Sequence, residues 1–153
     1  MGGHGMTVES LSRQRVLHLL DCFSRGDLDG ALSCCTDDID FLTHAPIDVL
    51  PHMVPRHGKT GLRELWQTVW SRYSEIRYKP AHVIAEGDEV ATYLHVYFRK
   101  RGNDRIVQFD MAVFYTFRNG LVAQIREIID SYDLVQQVLE REIGPLIVAG
   151  VEG

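Results

Sequence analysis

The chain has 153 residues and a formal net charge of −5, which points to one domain large enough to bury a real core. Its 45% hydrophobic and 24% charged residues are ordinary for a globular protein. The acidic balance argues against nucleic acid as a partner, because phosphate binding needs a basic face, and no apolar run approaches the roughly 18–20 residues that span a membrane.

Residues 1–6 read as a disordered terminus or an expression scar, 7–143 as a single domain and 144–153 as a C-terminal tail. No apolar leader follows Met1, so no secretory signal is expected. Residues 7–24 form an amphipathic helix whose apolar face is Leu11, Val16, Leu17, Leu19, Leu20 and Phe23, with Thr7 and Ser10 as capping choices. Gly26 ends it, and Asp27 caps a short second helix over 28–35. Cys22, Cys34 and Cys35 are the three cysteines. Their odd count, without CxxC or Cys/His ligand spacing, reads as reduced, buried thiols of a cytoplasmic protein. A strand over 39–44 stops at Ala45-Pro46, and a proline-punctuated loop carrying His52 and His57 runs to Lys59. Thr60 caps a helix over 61–74, with Leu62, Leu65, Trp66, Val69, Trp70 and Tyr73 at spacings of three and four. Strands over 76–86 and 89–100 flank a turn at Gly87-Asp88.

The chain is organised around 104–133, two strands joined at Arg118-Asn119-Gly120. Asn-Gly between β-rich runs is the strongest short-range hairpin signal, because both residues tolerate positive φ. Val107, Phe109, Met111, Val113, Tyr115 and Phe117 make one wholly apolar face, the mark of a strand packed on a core. Past the turn, Val122, Gln124, Arg126, Ile128, Asp130 and Tyr132 share a face, so Arg126 and Asp130 are expected inside. A last helix over 134–142 breaks at Gly144-Pro145. This order implies an α+β fold, a curved antiparallel meander wrapped over N-terminal helices.

Four stretches carry a resemblance to a known family. They are Thr36-Asp37-Asp38-Ile39 before the first strand, His57-Gly58-Lys59-Thr60-Gly61-Leu62 before the third helix, the turn Glu86-Gly87-Asp88-Glu89-Val90-Ala91, and Phe117-Arg118-Asn119-Gly120-Leu121-Val122 followed by Glu127 and Asp130. Together they resemble the SnoaL-like polyketide cyclase branch of the nuclear transport factor 2-like cone fold. Limonene epoxide hydrolase and ketosteroid isomerase are more distant relatives. The resemblance implies a cofactor-free acid/base enzyme acting on an apolar cyclic or polyketide-like substrate, with the family's catalytic Asp falling on Asp130. The epoxide hydrolase's Arg and Asp fall on Leu94 and Val96. The isomerase's shuttling Asp falls on Ala45, beside His44, and its carboxylic-acid donor on Val113. Neither of those two active sites is therefore expected here.

Asp130 is the expected acid/base, since a carboxyl in an apolar pocket has a raised pKa. A salt bridge to Arg126 or a cap on the final helix is the competing account. His44, at the cavity mouth, and Tyr115 would polarise a carbonyl. Arg126 would hold Asp130 or an anionic group. Trp66, Trp70, Phe109 and Met111 would line the cavity, though the tryptophans are core residues first. His44, His52 and His57 fit no zinc spacing, so no metal is expected. Lys59, Arg63 and Arg72 read as solvated helix charges. The rival to an enzyme is a module that binds a small apolar or aromatic ligand, or associates, without catalysis. Tyr93, His95, Tyr97, Ile106, Ala112, Phe114, Ile125 and Ile129 would form an outer sheet face that pairs two copies as a homodimer.

Overall fold

The computed structural model describes residues 7–152; the expectation for residues 1–6 lies outside them. Helix α1 spans Val8–Ser24, with Thr7 Oγ1 accepting from Ser10 N at 3.0 Å as its N-cap. Val16, Leu19, Leu20 and Phe23 are buried, but Leu11 and Leu17 are exposed, so the apolar stripe is narrower than expected. Helix α2 (Leu28–Ser33) is capped by Asp27. Strand β1 (Cys35–His44) starts earlier than its apolar alternation suggests, because Cys35 already pairs with Val122. All three cysteines are buried and unbridged.

Strand β2 is only Arg56–His57, too short to leave a periodic signal. Helix α3 (Gly58–Arg72) follows directly, without the expected Thr60 cap. Strands β3 (Tyr73–Glu86), β4 (Glu89–Lys100), β5 (Ile106–Arg118) and β6 (Leu121–Ile129) complete the sheet. Its order is β2-β1-β6-β5-β4-β3. Neighbours are antiparallel except β1 and β6, which run parallel and bring the first long strand against the last. Helices α1 and α3 cover the concave face, where Ile39, Phe41, Leu94, Val96, Phe98 and Val113 are buried.

The hairpin turn is as expected: Asn119 and Gly120 take φ values of 53° and 77°, the left-handed pair of a tight hairpin. Just beyond it the register slips. Phe117 pairs with Val122, but Thr116 pairs with Gln124, which leaves Ala123 as an extra residue. Such a bulge puts two residues of one strand opposite one of the other and reverses the side-chain alternation beyond it. Val122 faces in, and so do Ile125 and Ile129, which were expected outside. Arg126 and Ile128, expected inside, face out.

After β6, helix α4 (Ser131–Leu139) closes one end of the cone with Leu134 buried. Strand β6 stops short of Gln108 on β5, and the Gln137 amide replaces it there. Gln108 N donates to Gln137 Oε1 at 2.6 Å, and Gln137 Nε2 donates to Gln108 O at 2.5 Å. Where a tail was expected, Gly144–Glu152 form a final helix, α5. Pro145 is tolerated in its first turn, where no intrahelical N–H is needed. Among the described residues no helix is long and apolar enough to cross a membrane.

Candidate active site on the concave face

The bulge at Ala123 decides which carboxylate enters the cone. With alternation reversed, Glu127 lies between Ile125 and Ile129 on the inner face. It lines two small adjoining cavities, of about 20 and 50 Å³. Trp66, Tyr78, Met111 and Tyr115 stand around the first. His52, Met53, Phe98, Phe109, Leu134 and Val138 are among the walls of the second, which Tyr78 and Met111 also share. This room holds a water or two, so a larger ligand needs the walls to move.

Burial among these apolar walls pushes the Glu127 carboxyl up to about 7, because desolvation penalises the charged form. The opposing influence is Thr43, the register partner of Glu127 on β1, whose hydroxyl favours the carboxylate. Thr43 Oγ1 makes no hydrogen bond of normal geometry, and desolvation is the larger influence. Tyr115 is buried, and its hydroxyl lies 3.2 Å from Thr92 Oγ1. Burial pushes its pKa up, and so does the charge of Glu127. Tyr78 is raised for the same two reasons, with Tyr115 and Tyr73 adding to the effect. Both phenols therefore stay protonated at neutral pH and are hydrogen-bond donors.

The expected site residues divide across the sheet. Tyr115, Trp66, Phe109 and Met111 are on the cavity side, as expected. Trp70 is not: its indole Nε1 donates to Phe23 O at 3.1 Å, and its ring packs over Gly26. Asp130 is a correction. It is exposed at the end of β6, and its Oδ1 accepts from Asp133 N at 3.2 Å as the N-cap of α4. It borders an outer recess with Arg77, Lys79, His95 and Asp110, where His95 Nδ1 lies 2.8 Å from Asp110 Oδ1 and the Tyr93 hydroxyl donates to Asp110 Oδ2. Arg126 does not reach Asp130. It bonds Asp40 instead, Nη2 to Oδ2 at 2.6 Å and Nη1 to the main-chain oxygen at 3.2 Å. His44 is exposed on the outer face beside Ile128, because its neighbour Thr43 takes the inward position. Leu94, Val96 and Val113 do face inward, as apolar residues.

Glu127 stands with Asp130 in the closing stretch that carries the family resemblance, but parity counted from the turn assigned it outward. The run Ile125, Glu127, Ile129, read alone, carries the right alternation. Among the described residues no three His, Cys, Asp or Glu side chains stand close enough to hold a metal ion.

The family model for the SnoaL-like domain matches residues 16–125. A proposed isomerase from Rhodopseudomonas palustris is 27% identical with a TM-score of 0.74, over 85% of this chain and 97% of that one. A nuclear transport factor 2-like protein from Burkholderia xenovorans LB400 is also 27% identical, with a TM-score of 0.72 over 88% and 99% of the two chains. A proposed SnoaL-like polyketide cyclase from Jannaschia sp. CCS1, at 16% identity and a TM-score of 0.75 over 90% and 97%, shares the fold. The comparison with curated proteins finds no match. With a curved six-stranded sheet over helices, and with the family's model covering most of its length, this chain belongs to the SnoaL-like domain family of the nuclear transport factor 2-like fold.

Proposed function

We propose that the protein is an acid/base catalyst of the cyclase or isomerase kind, working on an apolar cyclic or polyketide-like carbonyl compound, with Glu127 as its proton-transferring group. The observation that carries this reading is the Glu127 carboxyl, set among apolar walls on the concave face with a pKa pushed up to about 7. A base whose pKa lies near the working pH combines a useful ionised fraction with real proton affinity. Ionised Glu127 takes a proton from the carbon next to the carbonyl. The negative charge that develops on the carbonyl oxygen is met by the hydroxyls of Tyr115 and Tyr78, which share the cavity with Glu127. When Thr92 donates to Tyr115, the phenolic proton is left for the ligand. Protonated Glu127 then returns its proton at another carbon, or to the oxygen of an aldol or leaving water. Isomerisation, ring closure and dehydration share the first step.

The narrowness of the cavity favours a second reading, a ligand-binding module without turnover. Exchange of the α-protons of 2-tetralone into deuterated water, followed by proton NMR, separates the two. Wild-type protein should accelerate exchange at pH 7–8, Glu127→Gln should abolish the acceleration, and Asp130→Asn should keep it. Binding of the ketone without exchange supports the binding module. Exchange that survives Glu127→Gln moves the base elsewhere.

The outer face also supports pairing of two copies. Tyr93, Phe114 and Ile128 are exposed there around Ala112 in adjacent strands, with Ile106 at the far end of β5, and apolar surface on a sheet favours association.

A further inference from the structure

A second feature of the same cavity concerns the ligand rather than the base. The 46–55 loop lays the His52 ring along the cavity wall, and its buried Nδ1 has no hydrogen-bond partner. A buried polar atom left unpaired costs about 1–3 kcal/mol, so such an atom on a cavity wall is one that a ligand can satisfy. The carboxyl on the walls of this cavity is Glu127, and it is not among the charges that shift the imidazole. Burial holds its pKa down, and two guanidiniums, Arg72 and Arg56, hold it down further. Arg56 is tethered, donating from Nη2 to His52 O at 3.1 Å with Glu64 at 3.6 Å.

On the other side of the wall lies an outer recess of about 590 Å³. Tyr73 and Val138 line both the recess and the His52 cavity, so they form the partition between them. Three cations border the recess, Arg72, Lys100 and Arg101. Two are committed. Lys100 Nζ donates to Gln137 O, Val138 O and Glu140 Oε1 at 3.2, 3.3 and 2.9 Å. Arg101 Nη2 donates to Trp70 O and Tyr73 O at 3.2 and 2.8 Å. The one carboxylate bordering the recess, Glu140, is matched by Lys100, by Arg105 at 3.3 Å and by Asn103 at 2.8 Å. Among the described residues, Arg72 makes no ion pair with a carboxylate, and its charge acts on His52 and Tyr73. On a chain of net charge −5, the partition thus carries a guanidinium without a carboxylate partner on its recess side and an unpaired imidazole nitrogen on its cavity side, and the first acts electrostatically on the second.

We infer that the ligand of the Glu127 cavity is an acid: its apolar body passes between Tyr73 and Val138 toward Glu127, and its carboxylate is held at the rim by Arg72 and His52. The inference rests on the reading of this cavity as the ligand site. Tyr73 stacks on Phe98 with centroids 4.4 Å apart and is the fixed side of the partition, so Val138, on α4, is the side that gives. The guanidinium supplies charge and paired N–H donors, and a neutral imidazole donates one more from its protonated nitrogen.

Phenylacetate and its neutral isostere phenylacetamide test this on the full chain, with carbon-13 methionine methyls at Met53 and Met111 reporting occupancy from inside the cavity. Wild-type protein should bind the acid at least tenfold more tightly than the amide. Arg72→Met, at an exposed position, should bring the two within about twofold and leave the amide's affinity unchanged. Glu127→Gln should keep the preference for the acid, so this inference and the assignment of the base fail separately. Equal affinities in wild type, a preference that survives Arg72→Met, or no shift at Met111 with either compound overturns it.

Discussion

Replacing Glu127 with Gln should stabilise the fold at alkaline pH and change it little in acid. In the unfolded chain this carboxyl titrates at its ordinary value of 4.5, and in the folded chain at about 7. Below pH 4.5 both states hold the proton, and the native state has its full stability from this group. Between the two values the unfolded chain releases a proton that the native chain keeps, so stability falls as pH rises, and the loss is complete above pH 7. Each pH unit of that interval is worth about 1.4 kcal/mol, so the whole loss is ~3 kcal/mol, an upper bound because the carboxyl keeps partial access to the cavity. Gln has the same shape and does not titrate. Urea unfolding at one-unit steps from pH 4 to 9 should show the variant equal to wild type at pH 4 and more stable by about 2–3 kcal/mol at pH 8–9. Other titrating groups are common to both chains and cancel in the difference. A difference that is flat with pH would mean that Glu127 is solvated, which would remove the physical basis for its role as the base.

Asp130→Ala should cost about 1 kcal/mol, the worth of an N-cap, through loss of the Asp133 N bond; chemical denaturation checks the size, and unimpaired 2-tetralone exchange checks that the residue is structural. The outer face predicts a homodimer by sedimentation at micromolar concentration, and Phe114→Asp at its exposed centre should yield a monomer with unchanged far-ultraviolet circular dichroism. A wild-type monomer would leave no role for that face in association.

Most of the architecture was legible locally. Asn119-Gly120 specified its hairpin because few other residues accept two successive positive φ values, and β4 has the expected bounds, Glu89–Lys100. Strict alternation put Phe109, Met111, Val113 and Tyr115 on the inner face, and they are there. Short or contact-driven pieces were not legible. Strand β2 has two residues and no period of its own. The start of β1 depends on a parallel partner more than eighty residues away.

The candidate base shows the same division at the scale of one residue. Composition and periodicity alone determined an α+β fold, a hairpin at its centre, an apolar inner face and a carboxylate within the last strand. They could not say which carboxylate, because side-chain direction in a strand is a parity, and one extra residue reverses it. Only the pairing of β6 with β5 on one side and β1 on the other placed that extra residue at Ala123. Tertiary structure thereby turned Glu127 into the cone and left Asp130 to cap α4, since the register that buries Val122, Ile125 and Ile129 together admits no other arrangement.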